Sequence, residues 1–175
     1  MKISRSKLLF VLPLLLLPLT AFSQSGDSRE AIFSWSGHGR LFQTDPNGVD
    51  FMGVIEGVLY IGRPGEPLDE AFMECSFRNS LLLEEQTSKA EGNCVIVQSP
   101  EDNAYASFSC QGPTSVCTGK LIFNSGTGKY KGIKGGASML IRSPLRLLAP
   151  SLAGGEELSV ANGVALFTDI DYEVE

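Results

Sequence analysis

The chain has 175 residues, 43% of them hydrophobic, with 14 basic and 20 acidic side chains giving a formal charge of −6. This is long enough for one domain with a real core, and the acidic balance argues against nucleic acid or anionic lipid as a partner. A single histidine excludes most multi-histidine metal sites, and no Cys-x-x-Cys pair is present to hold zinc.

At the N-terminus Lys2, Arg5 and Lys7 precede an apolar run from Leu8 to Leu19, and Ala21-Phe22-Ser23 offers the small residues a signal peptidase reads. The pattern predicts a signal peptide over residues 1–23, removed before Gln24. Its apolar run is short for a bilayer and is interrupted by Pro13 and Pro18, and no cysteine lies at the cleavage site to carry a lipid. Removing 23 of 175 residues leaves a single domain over 24–175, and losing three cations takes the charge from −6 to −9. The expected location is periplasmic or secreted, with no membrane contact after processing.

The domain reads as strands. From Glu30 to Gln43, Phe33, Trp35 and Leu41 share one face while Ser34, Ser36, His38 and Arg40 share the other, the period-2 signature of a half-buried strand. Thr44-Asp45-Pro46-Asn47-Gly48 is a turn. Val49 to Gly62 is apolar on both faces, Phe51, Ile55, Leu59 and Ile61 against Met52, Val54, Val58 and Tyr60, which implies something packed outside the sheet or a subunit contact. Arg63 to Pro67 breaks the chain. Ala71–Leu83 and Lys89–Ser99 follow across Glu84-Glu85-Gln86-Thr87, then Ala104–Gln111 and Cys117–Phe123. Short strands at regular spacing favour a meander barrel or sandwich.

Residues 143–163 differ: Leu145, Leu147, Leu148 and Leu152 lie among prolines without strand alternation, and they read as a long apolar loop or lid. The last strand, Gly163 to Val174, is expected to close the sheet. Val164, Leu166, Ile170, Tyr172 and Val174 would face one way, and Phe167, Asp169, Asp171 and Glu173 the other.

An exported chain with four cysteines is expected to oxidise them. Cys110 and Cys117 flank a turn at Gly112-Pro113-Thr114-Ser115, and Cys75 and Cys94 are symmetric about Glu84-Glu85. These placements favour Cys75 with Cys94 and Cys110 with Cys117. The pairing of Cys94 with Cys110 stays open, because the hairpin through Pro100-Glu101-Asp102-Asn103 also brings those two together.

Between the last two apolar runs lies Gly126-Thr127-Gly128-Lys129-Tyr130-Lys131-Gly132-Ile133-Lys134-Gly135-Gly136. Its glycine spacing is not that of a dinucleotide or P-loop cradle, and strand residues follow rather than a helix. The expected form is a tight hairpin, with Gly132, Gly135 and Gly136 bending the returning strand and Lys129, Lys131 and Lys134 forming a solvated basic rim. These residues resemble the "glycine, small, glycine, basic, aromatic, x, glycine" hairpin of the allene oxide cyclase and dirigent barrels and their exported bacterial relatives. The resemblance implies an all-β fold, an eight-stranded antiparallel barrel of calycin type with a central cavity. The acidic, cysteine and proline pocket residues of the cyclases have no counterpart here, so no catalytic residue is carried over.

Two residues are weak catalytic candidates. His38 sits with Ser36 and Arg40 on a polar face, where a hydrogen-bonded or solvated role is the simpler reading. Glu56 interrupts an apolar strand; either Arg78 pairs with it, or a protonated carboxyl lines a cavity and acts as an acid. Tyr60, Tyr105 and Tyr130 read as core or rim aromatics. Asp169, Asp171 and Glu173 lack the loop that would wrap oxygens around calcium, and neither metal nor cofactor is implied. Three functional readings follow: a barrel holding a small apolar or amphipathic ligand in its interior, a cyclase or isomerase using Glu56 or His38, and a homo-oligomeric interaction protein. The chain reads more readily as a binder than as an enzyme.

Overall fold

The computed structural model describes residues 29–63, 67–142 and 157–175. Within them run β1 (Arg29–Gln43), β2 (Gly48–Gly62), β3 (Asp69–Leu82), β4 (Thr87–Val97), β5 (Asn103–Pro113), β6 (Val116–Gly126), β7 (Lys134–Arg142) and β8 (Glu157–Glu173). Every strand is antiparallel to its sequence neighbour, and β8 pairs with both β7 and β1, closing an eight-stranded barrel. The expected all-β barrel is therefore the fold. Arg29, Gly62 and Asp69 mark its upper end; Gln43, Gly48 and Arg142 mark its lower end.

Alternation decides which side chains enter the barrel. On β1, Ala31, Phe33, Trp35 and Leu41 are buried while Ile32, Ser34, Ser36, His38 and Arg40 are exposed. Inside, small residues such as Ala31, Ala71, Ala106, Ala137 and Ala165 make room for Phe33, Trp35, Met73, Phe108 and Phe167, the mixture a narrow barrel needs to fill its taper.

The last strand departs from the expectation in two ways. It begins at Glu157 rather than Gly163, because the lower half of the 15-residue β1 needs a partner: Gly37 pairs with Ala161, Gly39 with Leu158 and Arg40 with Glu157. Of the expected 143–163 loop, residues 143–156 lie outside the described residues. The expected faces of β8 also fail. Val164 and Leu166 point outward, whereas Ile170 and Tyr172 pack on the core. Ser138 pairs with Thr168 but Gly136 with Asp171, so β8 holds an extra residue there, and Asp169 has φ +52°. Such a bulge inverts the alternation beyond it.

The glycine-rich segment also differs from a tight hairpin. After β6 ends at Gly126 the chain makes a 3-10 turn over Gly128–Tyr130, and β7 starts only at Lys134. Gly132 (φ +72°) belongs to this connection rather than to the returning strand, in a left-handed conformation that glycine adopts without penalty. The connection is pinned to the β4–β5 loop. Thr127 Oγ1 donates to the Glu101 carbonyl at 2.7 Å, and the Lys129 amide donates to Asp102 Oδ1 at 3.0 Å. That amide bond is the main reason the Asp102 pKa is lowered. Thus anchored, the connection turns Ile133 into the core, 2% exposed, and brings Tyr130 over the upper mouth.

Disulfides join Cys75 to Cys94 and Cys110 to Cys117, and all four cysteines belong to the core. The first links directly opposed residues of β3 and β4. The second is diagonal: Cys110 lies opposite Gly119, where a Cβ would come within 2.7 Å of the Cys110 Cβ, so the absence of a side chain there leaves the bridge its room. Separations of 19 and 7 residues correspond to loop-closure contributions of about 3.3 and about 2.5 kcal/mol. Replacing each pair by alanine is expected to lower unfolding stability in that order, read by denaturant titration. A larger loss from the Cys110–Cys117 pair would contradict loop closure as the dominant effect.

Candidate functional site

The catalytic candidates lie on the outer wall. Glu56 and His38 are both exposed. Glu56 stands between Ser36 and Glu74 in the sheet register, and His38 lies opposite Val54. The inward positions of β2 are taken by Phe51, Ile55 and Leu59, so its apolar run carries Glu56 outward into water, where a carboxylate needs no partner. Arg78 does not pair with it. Arg78 instead binds Asp50, with Nε at 3.0 Å and Nη2 at 2.5 Å from Oδ2. Tyr60 and Tyr105 are exposed outside the barrel. Asp169, Asp171 and Glu173 are exposed as well, and among the described residues no group of three His, Cys, Asp or Glu could hold a metal.

The interior is largely filled. Its side chains leave an apolar cleft of ≈ 70 Å³ near the upper end, bounded by Ala31, Leu59, Ile61, Met73, Phe123, Tyr130, Ile133, Ile170 and Tyr172 among others. A cleft of ≈ 60 Å³ lies near the lower end, lined by Trp35, Phe51, Phe77, Asn79, Ser88, Phe108 and Ile141 among others. Pockets for drug-sized ligands run to about 300–1,000 Å³. Among the described residues, side chains and two disulfides fill the barrel axis where the resemblance implies a central cavity.

The upper cleft does not end at the barrel rim. Ile61, Tyr130 and Tyr172 also line a vestibule of ≈ 370 Å³ together with Arg29, Arg63, Pro67, Asp69, Gln98 and Lys129. Two tyrosines form the boundary between the apolar and polar compartments. Tyr172 packs edge-on against Phe123, with ring centroids 5.9 Å apart, and its hydroxyl accepts from Arg29 Nη1 at 2.5 Å. Tyr130 donates its hydroxyl to Gln98 Oε1, and Lys129 Nζ sits 5.3 Å from its ring centroid. Burial raises the Tyr130 pKa; Tyr172 and the Asp102 and Asp69 carboxylates add to the rise while Arg29 opposes it. The phenol therefore stays a hydrogen-bond donor up to and beyond its ordinary pKa of about 10. Among the described residues Arg29, Arg63 and Lys129 and the carboxylate of Asp69 line the vestibule, and Asp102 lies close enough to act on Tyr130.

Of these residues the sequence reading singled out Tyr130, as a core or rim aromatic, and Lys129, as part of the basic rim, but gave neither a site. Arg29, at the head of β1, and Gln98, beyond β4, carry no local pattern that marks them as rim residues. Asn79 did leave a trace: it falls in phase with the inward Met73, Cys75 and Leu81 of β3, a polar residue on an apolar face. The chain matches no protein-family model, and no curated protein or solved structure matches it.

Asp50 illustrates how the outer wall is held. It is 6% exposed; burial works to raise its pKa, but hydrogen bonds from Ser80 and Arg78 and the Arg78 charge outweigh it, and the pKa is lowered. Folding thus favours the carboxylate. The resulting stability is fully present above the unfolded pKa of about 3.9 and is lost as pH falls through the lower folded value. Because the Arg78 side chain is half exposed, Asp50→Asn is expected to cost only about 1 kcal/mol near neutrality and to flatten the acid limb of the stability curve. Urea titrations at neutral pH and below pH 3.9 check both; an unchanged acid limb would show that Asp50 contributes nothing to it.

Proposed function

We propose that this chain is an exported barrel that binds a small amphipathic anion at its upper end. A short apolar tail enters the ≈ 70 Å³ cleft and the charged head sits in the vestibule. The single observation behind this reading is the shared wall: Ile61, Tyr130 and Tyr172 belong to both compartments, so one molecule can span them. Arg29 and Lys129 supply positive charge for the head, and the Tyr130 and Tyr172 hydroxyls supply polar contacts. Export is supported by the N-terminal charge and apolar pattern and by two disulfides, which persist in oxidising compartments. The strand order and the Gly126 to Gly135 segment support kinship with the allene oxide cyclase and dirigent barrels. A cyclase or isomerase role finds no support in Glu56 or His38, since an acid acting on an enclosed substrate has to face a cavity.

A second reading, self-association, rests on the outer wall across β8, β1, β2 and β3. Ile32 stands opposite both Tyr60 and Leu166, Val58 opposite Phe72, and Val164 opposite Ser34. All six apolar side chains are 36–47% exposed. Together they present roughly 400 Å², about half of the ~800 Å² that each partner of a standard interface buries, and such interfaces are just over half apolar. The proportions fit a second copy of this chain. Glu56, Glu74 and His38 on the same wall favour water rather than lipid around the barrel.

Calorimetric titration separates these readings. Hexanoate is expected to bind and hexylammonium not to, with Arg29→Gln weakening hexanoate about tenfold. Lengthening the tail beyond six carbons should bring no further gain, because a cleft of ≈ 70 Å³ holds only about six water-sized bodies. Equal binding of the two hexyl compounds, or none of either, would overturn the anion site. Light scattering should give a multiple of the monomer mass that Ile32→Lys with Phe72→Lys reduces to one; a wild-type monomer ends the second reading.

A further inference from the structure

The vestibule at the upper end presents charge of both signs. Asp69 opens β3 opposite Ile61, a residue of cleft and vestibule alike. Arg29 and Lys129 line the same space. Asp69 and Lys129 are exposed, so solutes reach both charges. Among the described residues no salt bridge joins Asp69 to Arg29 or Lys129; the pair that forms one is Asp50 with Arg78. Arg29 instead reaches the neutral Tyr172 hydroxyl, and Lys129 lies over the Tyr130 ring. Asp69 and Arg29 both act, with opposite sign, on the Tyr130 hydroxyl, and charges act through solvent over only about 10 Å. Opposite charges thus share one space without neutralising each other directly, and the apolar cleft opens beside them.

We infer that the ligand of the upper site is a zwitterion, an α-amino acid with an unbranched apolar side chain. The inference rests on the anion reading and adds a second charge to it. The carboxylate meets Arg29 and Lys129, and the ammonium meets Asp69. The side chain passes Ile61, Tyr130 and Tyr172 into the cleft. A cleft of ≈ 70 Å³ holds about six water-sized bodies, so a side chain of about four carbons fits. An anion lacking the ammonium sets a like charge before Asp69, and like-charge juxtaposition costs affinity. A cation lacking the carboxylate faces Arg29 and Lys129 in the same way. Ammonium and carboxylate on one carbon keep both charges in the vestibule and leave the tail uncharged for the apolar lining.

Calorimetric titration with L-norleucine, hexanoate and 6-aminohexanoate tests this, because the three share one carbon count and one carboxylate. L-Norleucine is expected to bind about threefold tighter than hexanoate, the gain that an accessible ion pair gives. 6-Aminohexanoate has the composition and charges of norleucine, but its ammonium ends the tail. It should not bind, since that charge would have to enter the apolar cleft. Asp69→Asn should weaken norleucine about threefold and tighten hexanoate. A general disturbance of the mouth would instead move both in one direction. Hexanoate binding with norleucine no tighter, equal binding of norleucine and 6-aminohexanoate, or an Asp69→Asn protein that weakens both ligands alike would overturn the zwitterion and leave the anion site standing. Failure of hexanoate and norleucine together would end both readings.

Discussion

Eight tilted strands enclose little more than the space their own inward side chains require, and that constraint governs the rest of this molecule. Phe33, Trp35, Phe108 and Phe167, two methionines and two disulfides take up the shaft. Among the described residues the space left inside the barrel therefore lies in small clefts toward its two ends. The walls are left to stability: the Asp50–Arg78 pair on the outside and the cysteine bridges on the inside tie neighbouring strands together.

The two ends differ because different turns close them. At the upper end the seven residues between β6 and β7 fold inward instead of turning tightly, and they deliver Tyr130 and Ile133 to the mouth. Cations from β1, from the β6–β7 connection and from just beyond β2 gather around them. At the lower end the turn between β5 and β6 contributes Thr114 and Ser115, and among the described residues no charged side chain lines the cleft. Polarity there comes from single atoms within an aromatic lining.

What could be read in advance was whatever depends on period two. The strands of the first half and the inward face of β1 follow from alternation, while closure into a barrel is what the resemblance implies; symmetry about its turn places Cys75 opposite Cys94, whereas Cys110 lies opposite Gly119 and meets Cys117 diagonally. Failures occurred where one residue changed the count. The extra residue at Asp169 reverses the faces of β8, and nothing in Thr168-Asp169-Ile170 announces it. On β2 both faces are apolar, so alternation does not say which enters the barrel, and neither expectation for Glu56 holds: it is exposed, and Arg78 binds Asp50 instead. The vestibule was illegible for another reason. It is assembled from β1, the segment after β2, the β4–β5 loop, the β6–β7 connection and the end of β8, and closure alone brings these within reach of one another.

At the upper mouth Tyr130 and Tyr172 are each held by a hydrogen bond of ordinary strength, which on the proposed reading a ligand could replace. The Tyr130 hydroxyl bond to Gln98 contributes about 1 kcal/mol net, as a typical protein hydrogen bond does. Burying one methylene is worth about 0.8 kcal/mol, so two carbons of a tail entering the cleft already offset its loss. Titration does not open the mouth near neutrality, since burial keeps Tyr130 protonated and donating. Arg29 joins that opening to head-group recognition: the guanidinium that reaches Tyr172 lies 5.3 Å from the ring centroid, so an anion drawing Arg29 outward also loosens the second tyrosine. On the proposed anion reading, a tail without a head would meet Tyr172 still held by Arg29, and a head without a tail would leave Tyr130 bonded to Gln98, so a molecule with both fits the two contacts best.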